Sequence, residues 1–267
     1  MPIKSVETQI SLPPGRLSGE CVREFLELAL RGYGWFEPRR YGSASLGKTI
    51  EPGRLDLAPL VAHYEERKSL CIAARTDRDF IWFSPSPADA PPHAGDISWI
   101  TSARSASNAS WRAAHAQQVL ELMRLVQSPL ALSGLETDLH AKQWRLVHKS
   151  IPTEDEKEFT FSEREFTVRD YSQGLAGLVW RNFFGPPFLR MFGQRLGTLP
   201  VGCRESLGED VVLVQPYVLP TEAGTEAGVA RERELMSLLG SECFYDHERH
   251  TLPTRRPVLD ALGHPLH

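Results

Sequence analysis

Four cysteines in 267 residues, Cys21, Cys71, Cys203 and Cys243, are too few and too scattered to frame a disulfide scaffold. None stands in a C-x-x-C pair of the kind that holds zinc. No run of about 18 apolar residues is present, which excludes a membrane-spanning helix, and the opening Met-Pro-Ile-Lys lacks the apolar core of a signal peptide. These absences predict a chain of the reduced cytosol. Positive charge is also in short supply: 30 Lys and Arg stand against 34 Asp and Glu, a formal net charge of −4. Phosphate-rich partners require clustered basic residues, so neither nucleic acid nor an anionic membrane surface is an expected partner. A G-x-S-x-G nucleophile elbow is missing, and none of the nine histidines sits beside a signature Ser or Cys.

What is present is enough apolar material to fold. With 41% hydrophobic and 24% charged residues the composition is that of a globular protein, and a chain of this length buries roughly 70–75% of its unfolded surface. The richest stretch is Gly177 to Pro200, which carries Trp180, Phe183, Phe184, Phe188 and Phe192. Its pattern predicts a buried strand over 178–183 and a break at Gly185. Pro186 and Pro187 then open a helix whose Phe188, Met191, Phe192 and Leu196 share one face, with Gly197 as its stop.

Arg181 and Asn182 are the polar exceptions inside this segment. Arg181 is expected on the solvent side of an edge strand or paired with a carboxylate across the sheet. The alternative is a partner-facing guanidinium beside Trp180, since Trp and Arg are prominent in interface hot spots.

Elsewhere strands are expected over 6–12, 70–74, 80–83, 97–101, 144–147, 159–168 and 210–215. Helices are expected over 19–31, 57–67, 109–127 and 226–239, which with the one after Gly185 makes about five. Ser18 caps the first and Gly240 stops the last. Consecutive strands with short links imply antiparallel pairing, and the order predicts an α+β fold. The chain is read as one domain, 1–267, with subdomains at about 1–135 and 140–242 as a possible division and 243–267 as an irregular arm.

Three patterns resemble functional sites. Gly42-Ser43-Ala44-Ser45-Leu46-Gly47-Lys48-Thr49 matches the phosphate-loop spacing, with Gly42, Gly47, Lys48 and Thr49 as its nucleotide-binding positions. A phosphate loop must leave a buried strand and open a helix. Here Pro38 precedes it and Pro52-Gly53 follows, so a surface loop is the better expectation. In Tyr245-Asp246-His247-Glu248-Arg249-His250, Asp246, His247 and His250 are candidate metal ligands, although no third remote ligand is marked and a polar turn explains the same residues. The acidic run Glu154, Asp155, Glu156 and Glu158, followed by Glu163 and Glu165, is a solvated loop and strand face or a patch that attracts a basic partner.

The segments WRNFFGPPFLRMFG, VVLVQPYVLPTEAG and ECFYDHERH resemble those of lineage-restricted bacterial proteins of unknown function. In size and element order the chain is also similar to cytosolic immunity proteins that neutralise toxins of polymorphic and type VI secretion systems. That resemblance implies a non-catalytic binding protein with a toxin as partner, no cofactor, and no residue roles that transfer. Trp180, Arg181 and the acidic run Glu154, Asp155, Glu156 are the candidate partner contacts. The alternative is an enzyme dependent on metal or nucleotide.

Overall fold

The computed structural model describes residues 4–43, 45–76, 78–86, 89–152 and 158–259. Its elements follow in the order β1 (Ser5–Ser11), α1 (Gly19–Leu26), β2 (Arg40–Gly42), β3 (Lys48–Thr49), α2 (Ala58–Arg67), β4 (Leu70–Ala73), β5 (Phe80–Ser84), β6 (Asp96–Ser102) and α3 (Ala109–Val126). The second half adds β7 (Leu130–Leu135), α4 (Glu136–Gln143), β8 (Trp144–Pro152), β9 (Glu158–Phe166), β10 (Arg181–Phe184), α5 (Pro186–Phe192), β11 (Arg204–Ser206), β12 (Val212–Val214) and α6 (Glu226–Leu239). Ten strands form one antiparallel sheet in the order β11-β12-β10-β7-β1-β6-β5-β4-β2-β3, and β8 and β9 form a separate two-stranded ribbon. The fold is α+β. Strand β7 pairs with β1 on one side and β10 on the other, so the ladder runs unbroken between the two halves of the chain.

One face of the sheet is covered along its length. Ile10, Ile81, Phe83, Ile97 and Trp99 point from alternating strand positions into a cluster with Val22, Phe25 and Leu26 of α1, Leu60 and Tyr64 of α2, and Val119, Leu122 and Val126 of α3. Asn108 caps α3 by accepting from the backbone N–H groups of Ser110 and Trp111, and Gln127 ends it in the left-handed region. Helix α1 continues past Leu26 as a wider π turn over Glu27–Gly32, where a continuous α-helix to residue 31 is expected from the sequence.

The opposite face is covered over only part of the sheet. There Leu130, Phe184 and Val214 meet Phe188, Met191 and Phe192 of α5 and Leu235 and Leu239 of α6. The predicted helix after Gly185 is split: α5 stops at Phe192, and a tighter 3-10 segment over Gly193–Thr198 carries Leu196 into the same core. Gly185 is required by close approach, since a Cβ there would lie 2.9 Å from the Pro129 carbonyl oxygen, the acceptor of its own N–H. The chain beyond α6 packs here too, with Cys243, Phe244 and Tyr245 buried and Phe244 bridged to Leu175.

Two differences from the sequence reading follow from polar residues taking interior roles. Arg181 and Asn182 lie on a central strand, not an edge, and both are buried. The sixth helix, α4, has a single buried apolar residue, Leu139, and so little amphipathic signal. It is anchored instead by Lys142, whose ammonium meets Asp138 at 2.9 Å and Glu232 at 2.8 Å and donates to the Leu178 carbonyl at 2.6 Å. Tyr217 donates to the other Glu232 oxygen at 2.8 Å, which ties α4 to α6 and the sheet.

Candidate functional site

Where the second face of the sheet is left uncovered, strands β1, β6 and β5 form the floor of an open cleft of about 570 Å3. Its walls are α4, the root of the β8–β9 ribbon at Trp144 and Phe166, and the segments around His93 and 168–176. Strand alternation decides what faces it. In β1, Val6, Thr8 and Ile10 turn to the helical layer, so Glu7, Gln9 and Ser11 turn to the cleft; in β6, Asp96, Ser98 and Ile100 do the same. The antiparallel register places Gln9 opposite Ser98 and Ser11 opposite Asp96, which brings Glu7 diagonally across to Ser98.

The result is a connected polar floor. Gln9 Nε2 donates to Glu7 Oε1 at 2.9 Å, and Gln143 Nε2 donates to Gln9 Oε1 at 2.5 Å. Ser98 Oγ lies 3.2 Å from Glu7 Oε1 and 2.8 Å from Asp96 Oδ2. A serine hydroxyl has one proton, so it cannot donate to two carboxylates at once. The conflict is removed when Asp96 is protonated: Asp96 donates to Ser98 Oγ, and Ser98 donates to Glu7. Burial pushes the Asp96 carboxyl up to about 7, against the lowering effect of its bond to Ser98 and with a further push from the charge of Glu7. Glu7 is only 5% exposed, and its second oxygen, Oε2, is buried without a hydrogen bond. The group approaching it is His140 Nε2 on α4, at 3.5 Å.

Around this floor the walls are aromatic. Trp82 is 45% exposed and Phe166 50%, and Phe166 lies against Trp144 with ring centroids 3.7 Å apart. The ribbon continues outward with Leu146, 60% exposed, on the same face as Trp144 and Phe166. On its other face Arg145, Lys149, Glu163 and Glu165 form an ion-pair ladder with contacts of 2.7–3.0 Å. Exposed pairs of this kind contribute little stability.

Sequence-level candidates fall elsewhere. Trp180 is fully buried and Arg181 5% exposed, which places both inside the protein and not on a partner-facing surface. The Arg181 guanidinium stacks over the Trp180 ring at 4.4 Å and donates to Gln215 Oε1 at 3.0 Å, the Arg112 carbonyl at 2.7 Å and His115 Nδ1 at 3.0 Å. No carboxylate pairs with it among the described residues. Burial and the nearby Arg112 pull its pKa down to about 10. The same contacts hold His115 neutral, its pKa well below the ordinary value through burial and then the charge of Arg181. With Nδ1 accepting, its proton sits on Nε2, 3.0 Å from Thr8 Oγ1, which in turn lies 2.8 Å from Ser133 Oγ.

The phosphate-loop match is a β-hairpin. Gly42 ends β2, where a Cβ would collide with the Ser45 carbonyl oxygen at 1.8 Å, and Lys48 and Thr49 form the returning strand β3. No helix opens at Lys48-Thr49, which form strand β3, so the helix N-terminus that a phosphate loop requires is not at this position. Gly47 is part of the same turn; Lys48 Nζ lies 3.4 Å from His63 Nδ1 and 5.4 Å from the Tyr41 ring centre. Asp246 caps a turn: its Oδ1 accepts from the Glu248 and Arg249 N–H groups, each at 2.9 Å, and these bonds hold its carboxyl below the usual range. His247 Nε2 donates to the Ala176 carbonyl at 2.7 Å, and His250 closes the turn with φ of 55°. Among the described residues no three His, Cys, Asp or Glu side chains group as metal ligands. Glu154, Asp155 and Glu156 lie outside the described residues, between the two strands of the ribbon.

The sequence reading missed the cleft. Its one visible signal is that polar residues occupy every second position of β1 and the start of β6, a pattern that an ordinary solvated sheet face shares.

No protein-family model matches the chain, and no curated protein matches it. Among solved structures, the fold is similar to that of the Pseudomonas aeruginosa T6SS protein PA0821, with a TM-score of 0.54 and 12% identity, over 91% of this chain and 73% of that one. At that identity the likeness is one of fold.

Proposed function

We propose that this chain is a non-catalytic binding protein of the immunity type, which docks a bacterial toxin on the open half of its sheet. The observation that carries the reading is the cleft itself. It combines a buried acceptor without a hydrogen bond, exposed aromatic side chains and a projecting ribbon of two strands. Aromatic residues around a desolvated polar centre are the composition of interface hot spots. A two-stranded ribbon is marginal alone in water and gains from a partner that covers it. The naming of a fold neighbour as a T6SS protein supports a setting among secreted effectors and the proteins that restrain them.

The test is co-expression with any toxin-domain protein encoded beside this chain, taken as the candidate effector. The expected result is a one-to-one complex and restored growth of cells that produce the effector. An effector that neither binds nor loses toxicity overturns the reading. A specific complex of ordinary size buries about 1,600 Å2 in total, more than the cleft alone offers, so the ribbon face with Leu146 and Phe166 belongs to the same footprint.

A further inference from the structure

We propose that the floor of the cleft is a subsite for one arginine side chain of the docked protein, with Glu7 and Asp96 as the acceptors of its guanidinium and Trp82 as an aromatic wall beside it. This rests on the binding reading above and names the chemistry of its anchor.

Three observations on the floor point to a cation. Glu7 is more than nine-tenths buried, lines the cleft, and leaves Oε2 without a hydrogen bond. A buried carboxylate oxygen without a donor carries the full cost of desolvation, and an incoming N–H group removes it. Second, Ser98 Oγ lies within hydrogen-bond distance of both Glu7 Oε1 and Asp96 Oδ2, which sets the two carboxyl groups side by side on the floor. Third, the protein's own cationic groups meet this oxygen only loosely: among the described residues His140 Nε2 lies 3.5 Å from Glu7 Oε2, without a hydrogen bond. Lys142, the ammonium of α4, is committed to Asp138 and Glu232. Arg169 lines the cleft but forms no ion pair with Glu7 or Asp96 among the described residues.

The geometry favours guanidinium over ammonium. A planar fork of five donors can bond two acceptors on one edge while its face lies on an aromatic ring, and it is more weakly hydrated than an ammonium. Trp82 lies on β5, next to β6, and is exposed towards the same space. An arginine entering from the open side therefore meets acceptors at its tip and an aromatic surface along its plane. A bound cation would favour the charged form of Asp96 and so displace the proton that burial holds on it.

The probe is N-acetyl-arginine N-methylamide, with the uncharged citrulline analogue as its isostere, titrated into the full chain and followed by amide and indole NMR signals. The expected result is saturable shifts at Glu7, Asp96, Ser98 and the Trp82 indole, with the citrulline analogue at least tenfold weaker. Glu7→Gln and Asp96→Asn each weaken the arginine probe at least fivefold while keeping native signal dispersion; should one variant not fold, the other carries the test. Equal binding of the two probes, or unchanged binding in a folded variant, overturns the subsite. If the effector binds and both variants bind it with unchanged affinity, the subsite fails and the binding reading stands. If the arginine probe binds as expected but the effector does not bind, the subsite stands and the immunity reading fails.

Discussion

Two polar clusters lie on opposite faces of the same strands, and they differ in how their hydrogen bonds close. Behind β1 and β7, Arg181, His115, Thr8 and Ser133 form a chain in which the described donors meet acceptors, in one tautomer, under the cover of α3. In front of β1 and β6, Glu7 and Asp96 both lie against the Ser98 hydroxyl. The first cluster is complete without a ligand. The second leaves Glu7 Oε2 without a hydrogen bond. A satisfied buried network specifies the core, whereas a partly satisfied one costs stability and persists where function requires it.

That contrast predicts opposite responses to substitution. Arg181→Met removes the donor to the buried His115 and to two half-buried acceptors, and the cation over Trp180, and should destabilise the protein by about 3 kcal/mol or more, measured from the urea midpoint. A loss within the range of ordinary surface substitutions, about 0.5 kcal/mol, breaks the claim that this cluster holds the core.

The pH dependence separates the clusters next. Asp96 keeps its proton in the native state up to about 7, while the unfolded chain loses it near the ordinary 3.8. Its contribution to stability therefore falls as pH rises from about 4 to about 7 and is flat above. His115 acts in the opposite sense, because its native form stays neutral where the unfolded chain gains a proton below about 6.5. The two slopes oppose each other between about pH 4 and 6.5. The charged and titratable groups that line the cleft with Asp96 are Glu7, His93, Glu136, His140, Arg169 and Asp170. Asp96→Asn leaves their number unchanged and removes one arm of the balance. The variant's stability should rise with pH more steeply than the wild type's, by up to about 1.4 kcal/mol per pH unit in that window. Parallel curves for the two proteins would place Asp96 at an ordinary pKa.

The smallest effect sharpens the comparison by its sign. Glu7→Gln replaces the orphaned carboxylate with a neutral amide of the same shape and removes a charge beside Asp96. It should stabilise the free protein by about 1 kcal/mol, a rise in Tm of roughly 2–4 °C for a domain of this size, while it weakens the arginine probe. A destabilised variant that still binds the probe would make Glu7 a structural residue like Arg181.

Much of the fold was legible because it depends on local pattern. The stripes of α1 and α3, the Ser18 cap of α1, the Gly240 stop of α6, and the strands around residues 72, 82 and 99 lie where the local pattern puts them. Helix α4 was not legible, since an ion cluster with α6, about ninety residues away in the chain, holds it in place of an apolar stripe. The phosphate-loop and DHERH patterns were visible as strings, but the hairpin and the turn that contain them are set by backbone direction.

By itself the sequence determined the class of the protein: antiparallel strands with packed helices and a buried aromatic segment from 177 to 200. It also fixed the alternation that gives β1 one apolar and one polar side, because a strand has period two whatever surrounds it. Only the tertiary structure decided that α5 and α6 stop short of β1 and β6, so that the polar side of those strands is a walled cleft and not open surface. It also decided that Glu7 and Asp96, 89 residues apart, lie against one serine hydroxyl. Both depend on strand order and register, which arise from contacts between distant segments and leave no local trace in the chain.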